Sequence, residues 1–93
     1  MPRWDHTLHL KELWAEEHDD RNEQATRIAP VVAERVAALG RRLESKAPFL
    51  SADLEELAEE FGDVPNETRP SAAFNEILGN LYDLADAHRI WIA

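Results

Sequence analysis

Four histidines, nineteen carboxylates and three tryptophans are the side chains of this 93-residue sequence with most capacity for chemistry or recognition. His6 and His9 stand three apart, and on a strand an odd spacing sends them to opposite faces, so one ion cannot take both. His18 lies in the acidic run 16–20. His88 closes the last helical pattern, where a cation suits the dipole. No two of them share a zinc-site spacing. The expectation is structural histidines and no metal, although His6 and His88 approach each other if the chain ends pair.

Catalytic patterns are missing as well. With no cysteine there is no thiolate nucleophile and no disulfide. Ser45, Ser51 and Ser71 read as loop or capping residues, none in a nucleophile elbow. Three glycines form no phosphate loop. Acid–base work needs a carboxyl whose pKa burial has raised, and the acids here fall mostly on polar helix faces. Asn66, Glu67 and Thr68 match a glycosylation sequon but read as a turn. The expected protein is not an enzyme and has no cofactor.

The acids themselves are informative. Asp53, Glu55, Glu56, Glu59, Glu60 and Asp63 lie in one helical segment with no basic residue among them. The pairs Glu55/Glu59 and Glu56/Glu60 are four apart, and each like-charge pair costs about 0.2–0.5 kcal/mol. A solvated face is one reading, since acidic surfaces keep small domains in solution. The sharper reading is a docking surface for a partner protein with a basic patch, with Trp14 as a further contact. A special case is mimicry of nucleic acid charge.

Net charge is −9, and residues 47–93 carry only Arg69 and Arg89 as cations. Such a surface repels phosphates, so direct DNA or RNA binding is not expected. No apolar run approaches the roughly 20 residues of a membrane span. Residues 1–10 place Trp4, Asp5 and His6 where a signal peptide needs an apolar run, so no membrane and a cytoplasmic location are expected.

The elements that must position these residues follow from periodicity. Trp4, His6, Leu8 and Leu10 alternate with Asp5, Thr7, His9 and Lys11, as on a half-buried strand. The far end repeats the pattern, with Ile90 and Ile92 on one face and Trp91 on the other. Between them lie three helical patterns. In 22–39 Ile28, Val32, Val36 and Leu39 share a stripe, Gly40 reads as a stop, and Pro30 either kinks the helix or opens it near Ala29. The second runs from a Ser51 cap to Phe61 with Leu54, Leu57 and Ala58 inward, and Gly62 as its stop. A loop over 63–70 leads to a third helix capped by Ser71, with Phe74, Ile77, Leu78, Leu81, Tyr82 and Ala85 inward.

The expected fold is α+β: one domain over 1–93, with three helices packed on a short two-stranded antiparallel ribbon made by the N- and C-terminal segments. Trp4 and Trp91 are expected in the core, and Asp86 and Arg89, three apart, as a local ion pair.

The opening residues RWDHTLHLKELW and the closing LYDLADAHRIWIA resemble small acidic proteins of uncharacterised function from actinobacterial phages and prophages. The closing likeness falls on Tyr82, Asp83, Ala85, Asp86, Arg89, Trp91 and Ile92; Pro30 and the 64–70 loop depart from it. The resemblance implies a phage-type accessory protein in a host cell and carries no chemistry. The functional expectation is therefore a non-enzymatic protein that binds and modulates a host or defence protein. The alternative is a small assembly protein that self-associates as a homo-oligomer.

Overall fold

A computed structural model describes residues 3–15 and 20–93. Strand β1 (His6–Leu8) leads through a 3-10 turn (Lys11–Ala15) towards helix α1 (Arg21–Leu43). Helix α2 (Pro48–Asp63), a second 3-10 turn (Val64–Asn66), helix α3 (Pro70–Ala87) and strand β2 (Ile90–Ile92) complete the order.

The two end segments do pair, and their alternation holds. Leu8, Leu10, Ile90 and Ile92 are buried, while Asp5, Thr7, His9, Lys11 and Trp91 face out. The orientation differs from expectation: β1 and β2 are parallel, with His6 opposite Ile90, Thr7 opposite Trp91 and Leu8 opposite Ile92. Parity explains this. The Ser71 amide donates to Asn22 Oδ1 at 3.0 Å, joining the start of α3 to the start of α1. Arg35, beyond the middle of α1, donates to the His9 carbonyl beside β1 at 2.6 Å. Helices α1 and α3 thus run the same way, α2 returns between them, and each strand runs against its neighbouring helix. An even number of reversals separates the strands, so they point alike. Parallel strands need a long crossover, and here the three helices supply it. The ladder extends past β2, where the Ala93 amide donates to the Leu8 carbonyl at 2.9 Å.

Helix α1 begins where Asp20 accepts from the Asn22 amide at 2.9 Å. It runs three residues beyond the expected stop at Gly40, which is buried inside it. Glycine serves close approach here rather than termination: a Cβ would lie 3.3 Å from the Ser51 carbonyl oxygen. Pro30 is interior and exposed, so its missing N–H falls on the solvent side. Ile28, Val32, Val36 and Leu39 are buried as their spacing predicts.

Helix α2 opens three residues earlier than predicted, with Pro48 in its first turn. Ser51 is not a cap. Its buried hydroxyl donates to the Gly40 carbonyl at 2.6 Å, because the first turn of α2 crosses the last turn of α1. Leu54, Leu57, Ala58 and Phe61 are buried, and the helix passes Gly62 to end at Asp63.

The predicted 63–70 loop is shorter and better anchored, since Val64 in the second 3-10 turn is fully buried. Helix α3 starts at Pro70, one residue before the expected Ser71 cap. That cap comes from another helix, through Asn22. Phe74, Leu81 and Ala85 are buried, Ile77 and Leu78 half-buried, and Tyr82 at the margin of the stripe is exposed. Phe61 and Phe74 meet at 5.5 Å between ring centroids in the core, with Trp14 edge-on to Phe74 at 5.9 Å.

Candidate partner-binding surface

With Leu50, Leu54, Leu57, Ala58 and Phe61 turned inward, the remaining positions of α2 are set by a rotation of about 100° per residue. All six acids from Asp53 to Asp63 are exposed, but they do not form one face. Asp53, Glu56, Glu60 and Asp63 recur at intervals of three and four and make a single stripe on the side of α3. Glu55 lies on the opposite flank, where its Cγ is the nearest side-chain atom to the site of a Gly40 Cβ. Glu59 stands on the outermost edge between the two.

The stripe borders a groove. Asp53, Glu56 and Glu60 line its first part opposite Asn80 and Leu84, with Leu57 at the base. Glu60 and Asp63 continue it opposite Ala73, Ile77 and Glu76. One wall is therefore carboxylate; the other mixes apolar Ala73, Ile77 and Leu84 with Asn80 and Glu76, and Glu67 adds a further carboxylate to the lining.

Phe49 is a residue that pattern reading passed over. It lies one turn before Asp53 on the same stripe and is 88% exposed. The signal was available: Phe49 is the one aromatic of α2 that falls off the inward positions.

Among the described residues the side-chain ion pairs are Arg35 with Glu12 and Arg89 with Asp5, the latter at 4.0 Å. Neither involves an α2 acid. The expected Asp86–Arg89 pair is corrected by backbone geometry. Arg89 takes a left-handed φ of 57° as the chain turns from α3 into β2. That turn sets it against the neighbouring strand, where its carbonyl also accepts from the Asp5 amide at 3.2 Å.

The tryptophans divide as well. Trp91 is 45% exposed, contrary to the core expectation, because the inward positions of β2 belong to Ile90 and Ile92. Its ring meets half-buried Trp4 at 5.6 Å, and Lys11 Nζ stands 5.5 Å from its centroid, within range of a cation–π contact. Trp14 is half-buried and lines a separate cleft with Arg21, Ile28 and Ser71. It is not part of the α2 groove.

His6 is half-buried, and His9 and His88 are exposed. His18, with Glu16, Glu17 and Asp19, lies outside the described residues. Among the described residues, no three histidine or carboxylate side chains are grouped to hold a metal ion, and no helix is long and apolar enough to cross a membrane. The only buried polar residue among them is Ser51, whose hydroxyl is engaged with Gly40.

The chain matches no family model, no curated protein and no solved structure. Its function must be argued from its own residues.

Proposed function

We propose that this chain is a non-enzymatic, phage-type accessory protein whose α2 carboxylates dock on a basic patch of a host or defence protein and modulate it. The supporting observation is the placement of the acids. Asp53, Glu56, Glu60 and Asp63 share one exposed stripe of α2, with no ion pair to a cation of the chain among the described residues. Neighbouring like charges weaken a helix by about 0.2–0.5 kcal/mol per pair, and general solubility does not require them on one helix. A basic partner removes that repulsion and gains rate through long-range attraction.

The test is affinity capture from host lysate with the wild-type chain beside a Glu55→Gln, Glu56→Gln, Glu59→Gln, Glu60→Gln variant. The reading expects a saturable partner at physiological salt. That partner should be lost at ~1 M salt, where screening acts beyond about 3 Å, and lost with the variant although its circular dichroism is native. A partner retained by the variant, or no saturable partner, contradicts it.

Self-association is the second reading, favoured by the exposure of Phe49 and Trp91. A concentration-dependent symmetric oligomer in sedimentation would support it; a strict monomer would remove it.

A further inference from the structure

We propose that the groove between α2 and α3 receives a basic amphipathic helix of the partner protein, with Phe49 as its apolar anchor. This rests on the acidic-surface reading above and narrows it from a charged patch to a groove with a defined occupant.

The first observation is the pattern. Phe49, Asp53, Glu56, Glu60 and Asp63 follow one another at intervals of four, three, four and three residues. That alternation keeps all five on one face along the helix, a lengthwise seam open to solvent. At ~1.5 Å per residue the seam is about 21 Å long, close to four helical turns. A folded core gains nothing from it, because it faces away from the buried residues of α2.

The second observation is the opposite wall. Ile77 and Leu84 of α3 are half-buried, and with Asn80 between them they face the acids across the groove. An occupant therefore meets carboxylates on one side and, on the other, the apolar Ile77 and Leu84 with Glu76 beside them. A helix with Lys or Arg along one stripe and Leu, Ile or Val along the next satisfies both walls at once, as amphipathic helices do in hydrophobic grooves. An extended basic strand presents its side chains at the wrong period.

Charge excludes the nearest competitors. A second copy of the chain, with net charge −9, would bring its own acidic stripe to this one, and a nucleic acid would bring phosphates. Phe49 supplies what charge alone does not. An aromatic ring 88% exposed at one end of the seam gives the occupant a contact that excludes water and sets its register.

The experiment titrates the isotope-labelled full chain with three synthetic peptides. One is a four-turn peptide, about 15 residues, of Leu and Lys arranged at helical period. The second is a scramble of the same composition, and the third is oligolysine of equal charge. The inference expects the patterned peptide to saturate the chain and become helical on binding. It should shift the signals of Phe49, Ile77, Asn80 and Leu84, and bind at least ~10-fold more tightly than the scramble. Phe49→Ala, at an exposed position that leaves the fold alone, should weaken it roughly 10-fold, as should Glu56→Gln with Glu60→Gln. Glu55→Gln, on the far flank, should leave it unchanged.

Equal binding of all three peptides, or shifts centred away from the groove, overturns the groove while the acidic-surface reading stands. No binding by any peptide at low salt overturns both. Occupation of the groove by a second copy in the free chain overturns the inference in favour of self-association.

Discussion

The Ser51 hydroxyl donates a 2.6 Å hydrogen bond to the Gly40 carbonyl and so ties the first turn of α2 to the last turn of α1. The final carbonyls of a helix lack partners within it. In α1 the Arg41 carbonyl accepts from the Glu44 amide, and Leu43 accepts from Lys46 and Ala47. Gly40 accepts from Ser51. The contact also fixes the rotation of α2 about its axis. With Ser51 and Leu54 held against Gly40, the stripe from Phe49 to Asp63 must turn towards α3 and solvent.

Ser51→Ala should therefore lower stability by about 1 kcal/mol, the usual value of one buried hydrogen bond. Gly40→Val should lower it by about 2–3 kcal/mol, because its side chain must displace a backbone oxygen only 3.3 Å from the Cβ. Urea midpoints at constant slope check both.

Pro30→Ala should raise stability, by about 1–3 kcal/mol. The exposed ring lies inside α1, where proline removes a helical hydrogen bond and is the least favoured residue. A higher thermal midpoint with unchanged circular dichroism is the expected result. A loss of stability would mean that the ring makes a contact worth more than the bond it removes.

Arg89→Gly and Arg89→Ala should separate in sign. A left-handed backbone costs a non-glycine residue about 1–2 kcal/mol, and Arg89 holds that conformation. Glycine relieves it, whereas alanine keeps it. Both variants lose the exposed 4.0 Å approach to Asp5, worth at most about 1 kcal/mol. Glycine should match or exceed wild type in thermal midpoint, and alanine should fall slightly below it.

Parallel pairing of the ends can be read by amide exchange. The Ala93 amide donates to Leu8, and the Leu10 and Lys11 amides both donate to Ala93 at 2.7 Å. These three amides should be protected together, and deletion of residues 90–93 should strip protection from the remaining two, those of Leu10 and Lys11, together. An antiparallel ribbon would set Ala93 beside the start of β1, and this shared protection would be absent.

Which of these features the sequence discloses depends on whether they are local. The alternation of Trp4 to Lys11 and the stripes Ile28–Val32–Val36 and Leu54–Leu57–Phe61 record their own period, and burial follows it. Strand orientation is set by how often the chain reverses between the ends, which no local pattern records. Ser51 looks like a cap because a hydroxyl in a first turn has the same signature whether its partner is its own helix or a residue eleven positions back. Gly40 looks like a stop for the same reason: glycine ends helices and also lets helices approach. Val64 sits between acid and proline, and only its packing reveals it as core.

The acids show the same limit. Their exposure follows from composition and spacing, whereas the separation of Glu55 from the Asp53, Glu56, Glu60 and Asp63 stripe requires the positions of α1 and α3. Trp14 could not be joined to or parted from that surface without the fold.

Carboxylate footprinting of the chain with its captured partner tests the central claim most directly. Labelling by a water-soluble carbodiimide, read residue by residue, should fall by about an order of magnitude at Asp53, Glu56, Glu60 and Asp63 if docking removes them from solvent. Asp86, exposed on α3 away from the groove, should label as in the free chain. If the α2 acids label at the free rate in the complex, or Asp86 is protected in their place, the partner binds elsewhere and the account is wrong.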